Sequence, residues 1–263
     1  MLSLLDALVL GLVEGCTEFL PISSTGHLIL AADLLGAHGE KAKVFEIVIQ
    51  TGAMFAVAWE YRRRLLGADR RLWSNLAIAF LPAAVAGAIL GAAIKAQLFK
   101  AVPVAAALVA GGIVILWVEG RGKRKPRIED IGQMRWSDAL KVGLAQTVAL
   151  VPGVSRAGAT IIGGMLLGFS RRAATEFSFL LAVPTLLAAA AWDLWQSRAL
   201  LSAHDLPAFT VGFAAAFVSA FACVRWLIRW VGTHDLRPFA WYRIAFGAVV
   251  LATAHFGWVD WTP

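Results

Sequence analysis

Apolar stretches approaching the ~20 residues that an α-helix needs to cross a bilayer recur along this sequence, among them Val44 to Trp59 and Phe239 to Phe256. With 59% apolar residues, 16% charged residues and a mean hydropathy of +0.72, the 263-residue chain carries more apolar surface than one water-soluble core can bury. The chain therefore reads as an all-α polytopic integral membrane protein. The short segments of alternating polarity that mark a membrane β-barrel are absent. A net charge of +7 could suggest a nucleic-acid partner, but the basic residues lie in short loops between apolar runs, so none is expected. Trp59, Trp73, Trp117, Trp136 and Trp258 sit near the ends of those runs, where indoles anchor at headgroup level among the membrane lipids. Cys16 and Cys223 lie in apolar surroundings without metal or disulfide spacing and read as packing residues. The first residues lack the basic region of a cleaved signal peptide and are expected to remain.

An internal repeat organises the runs. Asp6-Ala7-Leu8, Gly11-Leu12 and Glu14 align with Asp138-Ala139-Leu140, Gly143-Leu144 and Gln146 at an offset of 132 positions (6 to 138). The same offset sets Ser23 on Ser155, Gly26 on Gly158 and Phe45 on Phe177. A single membrane domain, 1–263, is expected, with repeat one over about 1–118 and repeat two over about 137–259.

Each half opens with two short segments, Leu4 to Leu20 with Thr25 to Leu35, and Leu140 to Val151 with Ala157 to Phe169. They are too short to cross twice and read as re-entrant helix pairs. Three transmembrane helices follow each pair: Val44 to Trp59, Trp73 to Ile94 and Val102 to Val118, then Ala174 to Trp195, Ala208 to Ile228 and Phe239 to Phe256. A re-entrant pair plus three crossings ends opposite to where it began, which gives the halves inverted topology. Charge gives a check: Arg62, Arg63, Arg64, Arg70 and Arg71; Arg121, Lys123, Arg124, Lys125 and Arg127; Arg171 and Arg172; and Arg225, Arg229 and Arg237 all fall on one side, read as cytoplasmic. Both termini are then external, and the re-entrant pairs meet near the midplane.

Two polar breaks interrupt the apolar sequence. In Glu14-Gly-Cys-Thr-Glu18-Phe-Leu-Pro21-Ile-Ser-Ser-Thr-Gly-His27, Glu14 and Glu18 are spaced i, i+4 and share a helical face. Carboxylates at membrane depth are costly, so function is the default reading; the competing one is a buried pairing with His27 or Arg156 that only holds helices together. Pro21 ends one half-helix, and Ser23, Ser24 or Thr25 can cap the next, whose N-terminus then favours an anion such as phosphate. His27 can donate, accept or shuttle a proton. The second break, Pro152-Gly153-Val-Ser155-Arg156-Ala-Gly158-Ala-Thr160, repeats the design with Ser155 as cap, glycines for close approach and a guanidinium suited to a phosphate, or to a structural salt bridge with Glu14 or Glu18. Together the breaks suggest phosphoryl transfer. Gly87 with Gly91 and Gly164 with Gly168 read as helix-packing positions, and Glu46, Gln50 and Asp193 as minor candidates better explained by pairing.

Both motifs, and their continuation through Glu176-Phe-Ser-Phe-Leu-Leu-Ala-Val-Pro184, resemble the signatures of the bacterial undecaprenyl-diphosphatase family, also called bacitracin resistance protein, over essentially the whole chain. The resemblance implies removal of the terminal phosphate of undecaprenyl diphosphate, a polyprenyl diphosphate lipid, recycling the carrier for cell-wall synthesis in the bacterial inner membrane. It also implies an inverted-repeat fold, a site open to the periplasmic side, a homodimer and a divalent cation, magnesium or calcium. The catalytic positions fall on Glu14, Glu18, Ser24, His27 and Arg156, and the substrate-binding ones on Ser23, Thr25, Gly153, Ser155 and Thr160. Ala157 departs from the family's usual serine.

In the expected mechanism Ser24, or else a bound water, is the nucleophile and Glu18 or His27 activates it. Glu14 orients His27 or, with Glu18, ligates the cation. The alternative is a transporter or flippase of phosphate or lipid phosphate, because half-helices meeting at the midplane also hold transported anions.

Overall fold

The computed structural model describes residues 2–121 and 125–261. Lys123 and Arg124 of the expected basic loops lie outside the described residues. The architecture is all-α, in the order α1 (Leu4–Thr17), α2 (Ser24–Leu34), α3 (Glu40–Glu60), α4 (Arg62–Leu66), α5 (Arg70–Leu98), α6 (Ala101–Gly120), α7 (Trp136–Thr147), α8 (Arg156–Leu166), α9 (Arg171–Gln196), α10 (Leu206–Trp230) and α11 (Arg237–His255).

Among the described residues, five helical segments are long and apolar enough to cross a membrane: α3, α5, α6, α9, and α10 with the turn before it, Ala203–Trp230. The chain is a multi-pass helical membrane protein. The sixth expected span, α11, is a 19-residue helix that carries Arg237 and Arg243 and is not among the five. The short helices differ in kind. α1, α2, α7 and α8 have 14, 11, 12 and 11 residues. At ~1.5 Å rise per residue each falls well short of the ~30 Å hydrocarbon core.

Their packing exchanges partners between halves. α1 lies against α10, and α7 lies against α5. Glycine makes both contacts possible: a Cβ at Gly11 would strike the Gly212 carbonyl of α10, and one at Gly143 the Ala79 carbonyl of α5. Gly11 and Gly143 are the pair aligned at offset 132. Phe45 and Phe177, also aligned, are both fully buried, and Phe19, Phe177 and Phe179 belong to the apolar core beneath the breaks.

Ion pairs gather the basic loops at one end. Arg64, after α3, pairs with Glu176 of α9 and reaches Asp130 at 3.5 Å. Arg171 pairs with Glu119 at the end of α6, whose carboxylate also accepts the Leu236 amide before α11. Arg127 holds Asp138 of α7 at 2.6 Å and donates to the Leu167 carbonyl after α8, so α7 starts and α8 ends at that same end. Arg62 and Arg121 lie over Trp59 and Trp117, placing indoles beside the basic end. At the other end Lys41 bonds Asp205 at 2.8 Å, joining the starts of α3 and α10. A cavity of about 580 Å³ there is lined by both Leu2 and Leu35, the entry to α1 and the exit of α2.

Candidate active site

The two breaks meet at the centre. α1 ends at Thr17 rather than Leu20, with Glu18 still helical as its cap and its amide bonded to the Glu14 carbonyl. The chain then turns through Pro21 to Ser23, which has φ 72°, while Ser155 of the second break also has φ 72°. Among the described residues these two are the only non-glycine residues with positive φ, and they are the serines aligned by the repeat. A left-handed non-glycine residue costs energy and persists where its surroundings over-determine it.

The caps correct one expectation. Ser155 behaves as anticipated: its Oγ accepts from the Gly158 amide at 3.0 Å and donates to the Leu20 carbonyl at 3.3 Å. Ser23 precedes α2, but its hydroxyl makes no capping bond. Ser24 does not cap either. Its Oγ donates to Glu18 Oε2 at 2.6 Å, because the carboxylate six residues back is the stronger acceptor in reach. Thr25 is half-buried and joins neither network.

Arg156 bridges the breaks. Nη2 donates to Glu18 Oε1 at 3.0 Å, Nη1 donates to the carbonyl and hydroxyl of Ser178 at 3.0 and 3.3 Å, and the guanidinium lies over Phe19. The Arg156–Glu18 salt bridge weighed as a structural alternative is therefore present. It is also incomplete, since Arg156 Nε is buried without a partner. Thr160 is buried and turned inward, donating to the Arg156 carbonyl at 2.9 Å and lying 2.6 Å from Ser178 Oγ. Arg156, Glu18 and Ser24 thus form one hydrogen-bonded chain, with Thr160 and Ser178 behind it.

Glu14 stands apart. It is fully buried, and among the described residues neither carboxylate oxygen has a hydrogen-bond partner. Its repeat counterpart Gln146 is likewise buried with both amide atoms unpartnered. The expected orientation of His27 by Glu14 does not occur. His27 is instead held through Nδ1 by the Ser23 carbonyl and through Nε2 by the Tyr242 hydroxyl, both at 2.7 Å, because helical spacing brings the i−4 carbonyl to the ring. Of the minor candidates, Glu46 makes no hydrogen bond or contact ion pair among the described residues and is drawn only to Lys43, three residues earlier on α3. Among the described residues no group of three or more His, Cys, Asp or Glu side chains could hold a metal ion.

Sequence reasoning missed the residue that ties the site together. Arg243 of α11 is 1% exposed and directs every guanidinium donor to a backbone carbonyl: Nε to Leu108, Nη1 to Pro21 and Val154, Nη2 to Ala107 and Gly153. These carbonyls belong to the first break, the second break and α6. Gly153, expected to touch substrate, has φ 92°, its carbonyl binds Arg243, and a Cβ on it would strike the Val104 carbonyl of α6. Gly111 leaves the space that the guanidinium occupies. A signal existed, since Arg243 is an arginine inside an apolar run, the criterion that singled out Glu14. Ser178 lies within the Glu176 to Pro184 stretch. Tyr242 has no local sequence signal.

Fold and site together define a helical membrane protein with a buried carboxylate, hydroxyl and guanidinium centre where two chain breaks meet. The chain belongs to the family described as bacitracin resistance protein BacA, whose profile matches residues 7–249. It is 60% identical to the undecaprenyl-diphosphatase of Dechloromonas aromatica (strain RCB) and 59% identical to that of Methylococcus capsulatus, in each case over 98% of this chain and 97% of the relative. The undecaprenyl-diphosphatase of Methylibium petroleiphilum is 57% identical over 99% of both chains.

Proposed function

We propose that this protein is a membrane phosphatase that hydrolyses undecaprenyl diphosphate to undecaprenyl phosphate and inorganic phosphate, recycling the lipid carrier for cell-wall synthesis and conferring bacitracin resistance. Family membership and the names of relatives at 57–60% identity support the substrate. The observation that carries the chemistry is the Ser24–Glu18–Arg156 chain. A transporter would need the guanidinium but has no use for a serine donating to a buried carboxylate.

The terminal phosphate would sit between the N-termini of α2 and α8. α2 has no side-chain cap, so its first amides and positive dipole end are available to an anion. Ser24 Oγ attacks phosphorus, its proton passes to Glu18 Oε2, and the P–O bond to undecaprenyl phosphate breaks. Protonation of Glu18 ends its ion pair with Arg156. The guanidinium, with Nε already unpaired, then turns to the transferred phosphoryl group, backed by Ser178 and Thr160. Water hydrolyses the phosphoserine in the second step.

A divalent cation, magnesium or calcium, fits Glu14, whose two buried oxygens lack partners. Magnesium needs only one or two carboxylates when waters and substrate phosphates complete its shell. Glu18, taken by Ser24 and Arg156, would contribute only after releasing one of them. Bound there, the ion would neutralise phosphate charge.

The architecture proposed is an inverted-topology repeat over about 1–118 and 137–259, each half a re-entrant pair and three transmembrane helices. The exchange of packing partners and the matched Ser23 and Ser155 backbones support it. The basic end would face the cytoplasm of a bacterial inner membrane, with both termini periplasmic and the protein a homodimer. Phosphate release from undecaprenyl diphosphate in detergent tests the function. Wild type should turn over, and Glu18→Ala and Arg156→Ala should each lose on the order of 10²–10³-fold. No release by wild type, with anion uptake in vesicles, would replace the enzyme with a transporter.

A further inference from the structure

His27 is held at both ring nitrogens, and the partners settle where its proton is. Nδ1 lies 2.7 Å from the Ser23 carbonyl, which can only accept, so Nδ1 carries the hydrogen. In the neutral ring Nε2 is then the acceptor, and the Tyr242 hydroxyl, 2.7 Å away, donates to it. Phe246 stacks on the imidazole at 4.0 Å and 11°, which resists any turn of the ring. The basic nitrogen of His27 therefore faces Tyr242. Ser24 gives its hydrogen bond to Glu18 instead. Ser24 already has a base, and the basic nitrogen of His27 meets a phenol that is 45% exposed.

We propose that Tyr242 is a further catalytic residue, the hydroxyl through which His27 exchanges protons with the reacting water. The inference rests on the phosphatase reading. In the second step an attacking water forms a bond to the phosphorus of phosphorylated Ser24 and gives one proton to Tyr242 Oη, as the Tyr242 proton passes to His27 Nε2. The P–Oγ bond breaks, and Ser24 Oγ recovers the proton that Glu18 took in the first step. Inorganic phosphate leaves carrying the water oxygen. Protonated His27 then returns its proton to solvent, the one proton that hydrolysis of a diphosphate releases near neutral pH. His27 donates from both nitrogens while charged, so the Tyr242 hydroxyl reverses direction and can hydrogen-bond the departing phosphate.

Tyr242→Phe isolates the hydroxyl, because the ring and its stacking on His27 and Phe246 are retained. With purified full-length protein and undecaprenyl diphosphate in detergent, kcat should fall at least ~10-fold while KM moves less than about two-fold. A His27→Ala, Tyr242→Phe double variant should lose no more than His27→Ala alone, since both act on one proton path. ¹⁵N NMR of histidine-labelled protein gives a readout independent of turnover. The His27 Nε2 signal, assigned by its disappearance in His27→Ala, should move downfield in Tyr242→Phe as the nitrogen loses its donor. Wild-type kcat in Tyr242→Phe, an unmoved Nε2 signal, or losses that multiply in the double variant would overturn the relay and leave the phosphatase reading intact. A wild type that releases no phosphate would remove both.

Discussion

The first break, Glu14 to His27, and the second, Pro152 to Thr160, share a backbone and differ in what their side chains are free to do. Both pass through a serine with φ 72° into an 11-residue helix. In the second break the serine caps its helix, the threonine bonds inward, and Gly153 is pinned between Val104 and Arg243. In the first break the serine leaves its helix uncapped, Ser24 bonds a carboxylate, and Glu14 has no hydrogen-bond partner among the described residues. One copy has become a scaffold that presents a single guanidinium. The other keeps its polar groups available for chemistry. A repeat can diverge this way because the backbone carries the shape, while side chains at matching positions carry separate tasks.

Substitutions can break that comparison. The largest effect belongs to Ser24→Ala, which should reduce phosphate release on the order of 10⁴-fold if the serine is the nucleophile. Near-normal release would transfer the attack to water and leave Glu18 as its base. Arg243→Met should act on both breaks at once, since five carbonyls lose their donors. A stability loss of about 3 kcal/mol or more is expected in thermal unfolding in detergent, together with loss of activity. The smallest effect separates the two serines. Ser23→Ala and Ser155→Ala both place alanine at φ 72°, and Ser155→Ala should be the less stable by about 1 kcal/mol or more, because it gives up the cap and the bond to the Leu20 carbonyl. Equal unfolding midpoints would mean that the two bonds of the Ser155 hydroxyl contribute nothing.

Much of this was legible in the sequence, for identifiable reasons. Apolar run length pointed to six spans, five of which are, among the described residues, helices long and apolar enough to cross, and the offset of 132 paired Ser23 with Ser155 and Gly11 with Gly143. Charge at membrane depth pointed to Glu18 and Arg156, which meet. The misses involve contacts between distant positions. Nothing local shows that Tyr242 reaches His27, 215 residues away, or that Arg243 reaches Pro21, 222 away. The error over His27 has the opposite origin, for nearness in sequence suggested Glu14 when a helix carried the ring to its own i−4 carbonyl and to α11. Capping was expected at Ser23, Ser24 or Thr25, but Ser23 takes the cap position without a side-chain bond and Ser24, already inside α2, donates to Glu18, a partner only the folded chain supplies.

The central claim is that Glu18 and Arg156, one from each break, act as a single unit in the reaction. A double-variant cycle tests it most directly, by phosphate release from undecaprenyl diphosphate with wild type, Glu18→Gln, Arg156→Met and the combined protein. The account predicts that the combined variant is no slower than the slower single variant, because either change dismantles the same unit. Losses that multiply, or a single variant that keeps the wild-type rate, would contradict it.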